Sequence, residues 1–268
     1  MKINDIKELS IQISLNGLSF CILNKTQNTI EFLKTLPFEH KTTPIELLNY
    51  LKLELSNTTV FSEDFDAVIV IHQNELSTLV PKELYNPEHK ADYLKFNSKI
   101  LRNDFISEDD IEINKSVNIY VPYVNINNYI FETFGEFVYK HASSVLINAH
   151  LQHTETKETP KVYININKNT LEVLVVDKNE LQLFNVFEYF SKEDFIYYIL
   201  FVYEQLQLDV ETTAIEVTGT IDSNDELYNT LYTYIRHVSL TDNHYKFSIA
   251  NTIKKHQLHK HFLILNSF

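Results

Sequence analysis

Four histidines near the C-terminal end, His244, His256, His259 and His261, are of the type that could hold a metal ion. A structural zinc site needs about four ligands turned to one side. His256 and His259 share a helical face and His261 does not, so the set reads as a surface cluster. The single cysteine, Cys21, lies in the apolar run Phe20-Cys21-Ile22-Leu23. A reactive thiolate wants an electropositive, partly exposed setting, so this run predicts a buried, inert thiol. His141 with Ser143-Ser144 gives no triad signal, and no Asp or Glu stands in a setting that predicts a displaced pKa. Asp66 opens one strand pattern and Asp222 follows another. A two-metal nuclease gathers several carboxylates, and these two read as solvated turn acids. Gly17, Gly135 and Gly219 are the only glycines, too scattered for a GxGxxG or P-loop motif. In those motifs glycine lets the backbone approach a phosphate.

The chain that must position any such residue is 268 residues long, 44% hydrophobic and 22% charged. That is enough for one large domain or two small ones with an ordinary core. The net charge of −13 reads as solubility through self-repulsion, with a basic partner as the sharper alternative. It disfavours nucleic acid, which needs clustered Lys and Arg. The longest basic stretch, Lys254-Lys255 with His256, His259, Lys260 and His261, is short. Met1 to Ser10 is mixed and charged, without the apolar core of a signal peptide. No stretch approaches the ~20 apolar residues of a membrane span. One cysteine permits no internal disulfide, which suits a reducing cytosol. A cytoplasmic protein is expected.

Leu9 to Ser14 alternates as a half-buried strand, and Asn16-Gly17 gives a two-residue hairpin signal. Leu18 to Asn24 and Thr29 to Leu36 read as the next two strands, separated by a turn at Lys25 to Asn28. Pro44 opens a helix carrying Ile45, Leu47, Leu48, Leu51 and Leu55 at helical spacing. Asp66 to His72 is a buried strand expected to lie parallel to the first. The same order recurs from Lys161: strands at Val162–Asn167, Leu171–Val176 and Glu180–Phe187, then a helix capped by Ser191 with Asp194 at its third position. That helix is expected to run to about Leu208, and a strand at Thr213–Thr218 ends on Gly219. Ile11 and Ile13 fall opposite Ile164 and Ile166, Asn16 opposite Asn169, Leu18 opposite Leu171, and Lys25 opposite Lys178. Ile30 and Phe32 fall opposite Leu181 and Leu183. The pattern predicts an internal duplication. Between the copies, helices are expected at Pro87–Ile100 and Asn127–Lys140, and strands at Asp109–Lys115, Val117–Val124 and Ser143–Ala149. His153 to Pro160 is polar, ends in proline and reads as the linker. It divides the chain into residues 1–157 and 158–268, a mixed α/β fold of two halves.

Two copies of a three-strand meander, a helix and a parallel strand resemble the actin-like ATPase superfold, also called ribonuclease H-like. In particular the chain resembles an uncharacterised bacterial family of unknown function, of about this length, with an actin-like fold. The likeness spans nearly the whole chain. It rests on element order, the Asn16-Gly17 hairpin, the second-half opening Val162-Tyr163-Ile164-Asn165-Ile166 and the closing His261-Phe262 segment. Type IV pilus assembly proteins are a more distant comparison. Active members of the superfold carry an acidic residue and a glycine in the first hairpin of each half. The carboxylate organises Mg²⁺ and the hairpin amides hold phosphates. Here those hairpins read Ser14-Leu15-Asn16-Gly17 and Asn167-Lys168-Asn169-Thr170, with no Asp followed by Gly. The loop that packs on adenosine has paired glycines in relatives and one here, in Val217-Thr218-Gly219-Thr220. The resemblance therefore implies the fold without ATP hydrolysis, and no catalytic or metal-binding residue is assigned. Bound ATP and Mg²⁺ lack support from the motifs. Asn16, Gly17, Asn169 and Gly219 are the residues that could still bond a nucleotide. The expected function is a non-catalytic scaffold that binds another protein. The alternative is a nucleotide or small-ligand sensor using the cleft between the halves.

Overall fold

The computed structural model describes residues 5–153, 159–241 and 245–268. They group into two compact units. The first comprises the described residues of Met1–Leu146, Tyr245–Lys255 and Leu263–Phe268, and the second those of Ile147–His244 and His256–Phe262. The expected boundary at 157/158 lies outside the described residues.

The first unit opens with a meander of β1 (Lys7–Ser14), β2 (Gly17–Asn24) and β3 (Thr29–Pro37). Helix α1 (Pro44–Asn57) follows, then β4 (Ala67–Gln73), which pairs parallel to β1 as expected. An inserted layer comes next: β5 (Ser77–Pro81), α2 (Lys90–Lys95), β6 (Ser107–Ile111) and β7 (Ser116–Tyr120), its strands in order β5-β7-β6. The chain re-enters the main layer through α3 (Val124–Phe134) and β8 (Val138–His141), parallel to β4, before α4 (Ala142–His153). Leu9, Ile11, Ile13, Leu18 and Phe20 of the meander pack against Leu47 and Leu51 of α1 and Ile126 and Ile130 of α3. The alternation in β1 suggested one wet face. Instead Ser10 is fully buried, its hydroxyl accepting from Ser267 at 2.7 Å. Chain-terminal residues far away in sequence cover that face.

The second unit repeats the order with β9 (Lys161–Ile166), β10 (Thr170–Asp177), β11 (Glu180–Glu188), α5 (Lys192–Gln205), β12 (Ile215–Gly219), α6 (Glu226–Tyr234) and β13 (Val238–Leu240). Its sheet order, β11-β10-β9-β12-β13, matches β3-β2-β1-β4-β8 of the first unit, which carries a further edge strand β14 (Ser248–Ile249) on β3. The duplication extends to irregularities. Register slips between Ile22 and Leu23 against β3, and between Val175 and Val176 against β11. Those steps lie equally far past Leu18 and Leu171, the expected equivalents. Phe32 and Ile30 face the first bulge as Leu183 and Leu181 face the second, and the offset between the two alignments comes from the turns, Lys25 to Asn28 in the first unit against Lys178 and Asn179 in the second.

The inserted region departs most from expectation. Ser143–Ala149 is helix α4, not a strand. Nearly every residue from Ala142 to Leu151 is buried, the polar Ser143, Ser144 and His150 among them, so polar and apolar positions do not sort onto two faces and the helical period is hidden. The helix expected at Pro87–Ile100 shrinks to α2, because the Asn97 and Ser98 amides both close onto the Leu94 carbonyl. Helix α3 stops at Gly135, whose φ of +81° ends it six residues before the expected limit at Lys140 and frees Val138–His141 to pair with β4. Strand β6 ends at Ile111, before a short 3-10 turn and Lys115 at φ +49°. Strand β7 ends at Tyr120, ahead of Pro122. Among the described residues, no helix is long and apolar enough to cross a membrane.

Candidate functional site

The β1–β2 turn is built differently from its sequence signal. Ser14 pairs with Gly17, so the turn residues are Leu15 and Asn16, and Gly17 is the first residue of β2. The Ser14 hydroxyl accepts from the Asn16 amide at 3.2 Å and donates to the Gly17 carbonyl at 3.3 Å. The turn carbonyls are committed as well: Asn16 accepts from the Phe38 amide and Leu15 from the Thr42 amide, both at 2.8 Å. Gly17 is glycine for contact rather than for φ. A Cβ there would meet the Leu36 carbonyl oxygen at 2.7 Å.

In the second unit, the Asn167 amide donates to the Thr170 carbonyl at 2.9 Å and closes the corresponding turn over Lys168 and Asn169. The Asn169 carbonyl accepts from the Tyr189 amide at 3.0 Å. Gly219 ends β12 at φ +93°, where a Cβ would collide with the backbone of Ile166. Ile166 pairs with both Leu171 and Gly219, so Asn169 and Gly219 come to the same end of this sheet. Beneath them lies a buried carboxylate that the sequence reading passed over. Glu172 accepts from the side-chain amides of Asn165 (2.5 Å) and Asn167 (3.2 Å), and the Thr218 hydroxyl donates to Asn165 Oδ1 at 3.1 Å. The strand expected at Leu171–Val176 carried no expectation for this acid. Both faces of β10 are buried, which encloses it.

A second polar group sits where the inserted layer of the first unit meets β8 and α4. Asp109 accepts from the Ser144 hydroxyl (2.5 Å), the His141 amide (2.7 Å) and the Tyr120 hydroxyl (2.9 Å). Burial raises its carboxyl above the usual carboxylate range, against the pull of those three bonds. This corrects the expectation that no acid has a displaced pKa. The arrangement is not a catalytic triad, in which the imidazole stands between nucleophile and acid. Here Ser144 meets Asp109 directly, while the His141 ring bonds Ser143 Oγ and the Asn74 carbonyl, each at 3.1 Å. His72 and His141 are register partners on β4 and β8. Burial lowers both, His72 to about 4 and His141 to about 3. His72 Nε2 meets Asn127 Oδ1 at 2.8 Å, and its Nδ1 accepts from the Tyr123 amide at 3.3 Å.

Beside these histidines, still within the first unit, is a cavity of about 580 Å³. Leu15 of the β1–β2 turn, the loop after β4, residues 99–105 and the first turn of α3 form its walls. Asn74 and Tyr123, the partners of His141 and His72, are part of that wall.

The other candidates have structural duties. Asp66 accepts from the Lys7 amide at 2.8 Å, and Asp222 pairs with Lys260 at 2.5 Å. His259 is buried with its ring on the Ile221 carbonyl at 2.7 Å, and burial lowers His261 to about 4, so these two are not surface histidines. His244 lies outside the described residues. Cys21 is fully buried, and burial pushes its thiol up.

The two repeated units define the class. The topology is that of the actin-like ATPase fold, and solved structures bear this out. The chain is similar to a Bacteroides thetaiotaomicron VPI-5482 protein with an actin-like ATPase fold and unknown function, with 23% identity, TM-score 0.79, and 97% of this chain and 96% of that one covered. It is similar also to the PilM-PilN type IV pilus biogenesis complex, at 9% identity, TM-score 0.61 and 97% coverage of both chains. A third likeness is to the ethanolamine utilization protein EutJ of Carboxydothermus hydrogenoformans, at 8% identity and TM-score 0.53, covering 100% of this chain and 92% of that one. None of the curated proteins matches the chain. Residues 2–238 match the model of the family described as protein of unknown function (DUF3822), and the chain belongs to that family.

Proposed function

We propose that the protein is a non-catalytic member of the actin-like superfold that acts by binding another protein. The observation that carries this reading is the makeup of the two hairpin turns. Leu15-Asn16 and Lys168-Asn169 bring no carboxylate to the place where Mg²⁺ would need hard oxygen ligands. The buried acid beside the turn of the second unit, Glu172, is already bonded to two asparagine amides. Gly17 and Gly219 are both explained by strand contact. A relative of the same fold in a complex, PilM with PilN, supports a binding role. The test is turnover of Mg²⁺-ATP by the purified chain. The expected result is none above a no-protein control. Turnover that Gly219→Val abolishes in a folded variant would overturn the reading.

One observation favours a second reading, a nucleotide or small-ligand sensor: Asn169 and Gly219 lie at the same end of one sheet. Asn16 and Gly17 would be the matching contacts in the other half. Thermal shift against ATP, GTP and their diphosphates with Mg²⁺ separates the readings. A saturable rise in melting temperature without turnover selects the sensor.

A further inference from the structure

The cavity of the first unit shares only the side chain of Leu15 with the two turns on which the scaffold reading rests, and its chemistry is specific enough to name a ligand class. Its volume of about 580 Å³ suits a small organic molecule. The walls are mainly apolar, from Leu76, Leu101, Phe105, Val121 and Val124. Three of these are large side chains left open to solvent: Leu101 is 68% exposed, Phe105 55% and Val124 40%. Covering such surface removes apolar area from water and is favourable.

The polar lining is mostly committed to the protein. Glu75 is paired with Lys41 at 3.1 Å, and Asp104 accepts from the Leu101 amide at 2.7 Å. Asn74 uses its oxygen for the Leu76 amide (2.8 Å) and its nitrogen for the Val121 carbonyl (2.9 Å). Asn125 donates to the Pro44 carbonyl at 2.7 Å. Among the described residues, the Lys99 ammonium has no ion-pair partner. Helix α3, whose first turn forms part of the wall, starts on Tyr123 without a side-chain cap. The groups left for a ligand are therefore the Lys99 ammonium, the first amides of α3 and the neutral side-chain amides of Asn103 and Asn125, which together carry a single positive charge.

The geometry points to a binding site for a small organic monoanion: an aromatic or aliphatic body against Leu101, Phe105 and Val121, with one carboxylate or sulfonate at Lys99. A nucleoside triphosphate fits poorly, because its several negative charges would face one free cation beside Glu75 and Asp104. The assignment is independent of the scaffold reading and survives its failure.

The test titrates the full chain with the anionic dye 8-anilinonaphthalene-1-sulfonate and with the uncharged N-phenyl-1-naphthylamine. The anionic dye should bind saturably, one per chain, and octanoate should displace it. Leu101→Glu should weaken both dyes roughly tenfold or more, by placing a charge in the apolar wall. Lys99→Glu should weaken the anionic dye roughly tenfold and leave the neutral one within about twofold, as expected for a charge contact. Both side chains are exposed, so the variants should fold. Should either melt early, Lys99→Gln or Leu101→Gln replaces it. Non-saturable binding, or dye binding untouched by Leu101→Glu, would overturn the site. Equal loss of both dyes in Lys99→Glu, or displacement by Mg²⁺-ATP as readily as by octanoate, would overturn its assignment to a monoanion.

Discussion

At Gly219 a single missing Cβ decides whether two strands can lie side by side. Its φ of +93° disfavours any L side chain, and a Cβ would run into the Ile166 backbone. Gly219→Ala should therefore cost roughly 2–4 kcal/mol, strain and overpacking together, read as a drop in the chemical denaturation midpoint. An unchanged midpoint would mean that the end of β12 relaxes freely. Gly17 is a milder case. Its backbone is ordinary, but the Leu36 oxygen stands 2.7 Å from where a Cβ would be. Gly17→Ala should cost about 1–3 kcal/mol through the displaced β2–β3 pairing. Both glycines stood out as nucleotide-loop candidates, and both have a packing reason instead. Spacing along the chain cannot show this, because the atoms they avoid belong to residues on other strands.

Elements are specified by their ends as much as by their faces. Thr43 and Ser191 each close a capping box, with Glu46 and Asp194 at the third helical position. The bonds from Thr43 to Glu46 hold that carboxyl below its usual range although it is exposed. Ser191→Ala should lower stability by about 1 kcal/mol, and Thr43→Ala by a similar amount. Equality of the two losses in urea unfolding would reflect the equivalence of α1 and α5. A loss confined to one would show that the repeats have diverged in how much each unit depends on its helix. Helices with such ends, and strands bounded by polar turns, are legible in sequence. Helix α4 is not, since Ala142 to Leu151 is buried almost throughout, its serines and His150 included, and presents no exposed stripe.

On the scale of the molecule, three imidazoles contribute to the response to acid, His72 and His141 in the first unit and His261, lowered to about 4, in the second. His72 and His141 have folded values of about 4 and about 3, below the ordinary value of 6.5. An unfolded chain takes up these protons first, so stability is fully present above pH 6.5. It falls as pH drops from there toward about 4 for His72 and about 3 for His141. Melting temperature measured from pH 7 to pH 4 should decline, and His72→Gln should flatten the decline while lowering the starting value. A profile equally steep in His72→Gln would remove this histidine as a source. Asp109 adds nothing in the same direction. Its folded value is raised, so it favours the folded state as it takes up a proton.

The sequence by itself determined the repeated order of elements, both helix starts, the register of one half against the other, and the likeness to an actin-like family of unknown function. These follow from alternation, turn residues and caps, which act between neighbours in the chain. Only the tertiary structure decided which polar residues are buried. Ser10, Glu172, Asp109 and His141 look like surface or turn residues locally. They became interior because segments distant in sequence, Ser267 over Ser10 and Ser144 against Asp109, were brought to cover them. The cavity arose the same way, from a turn, two loops and a helix start that sequence spacing leaves unrelated. Burial depends on what the rest of the chain places on top, and a local pattern carries no record of that.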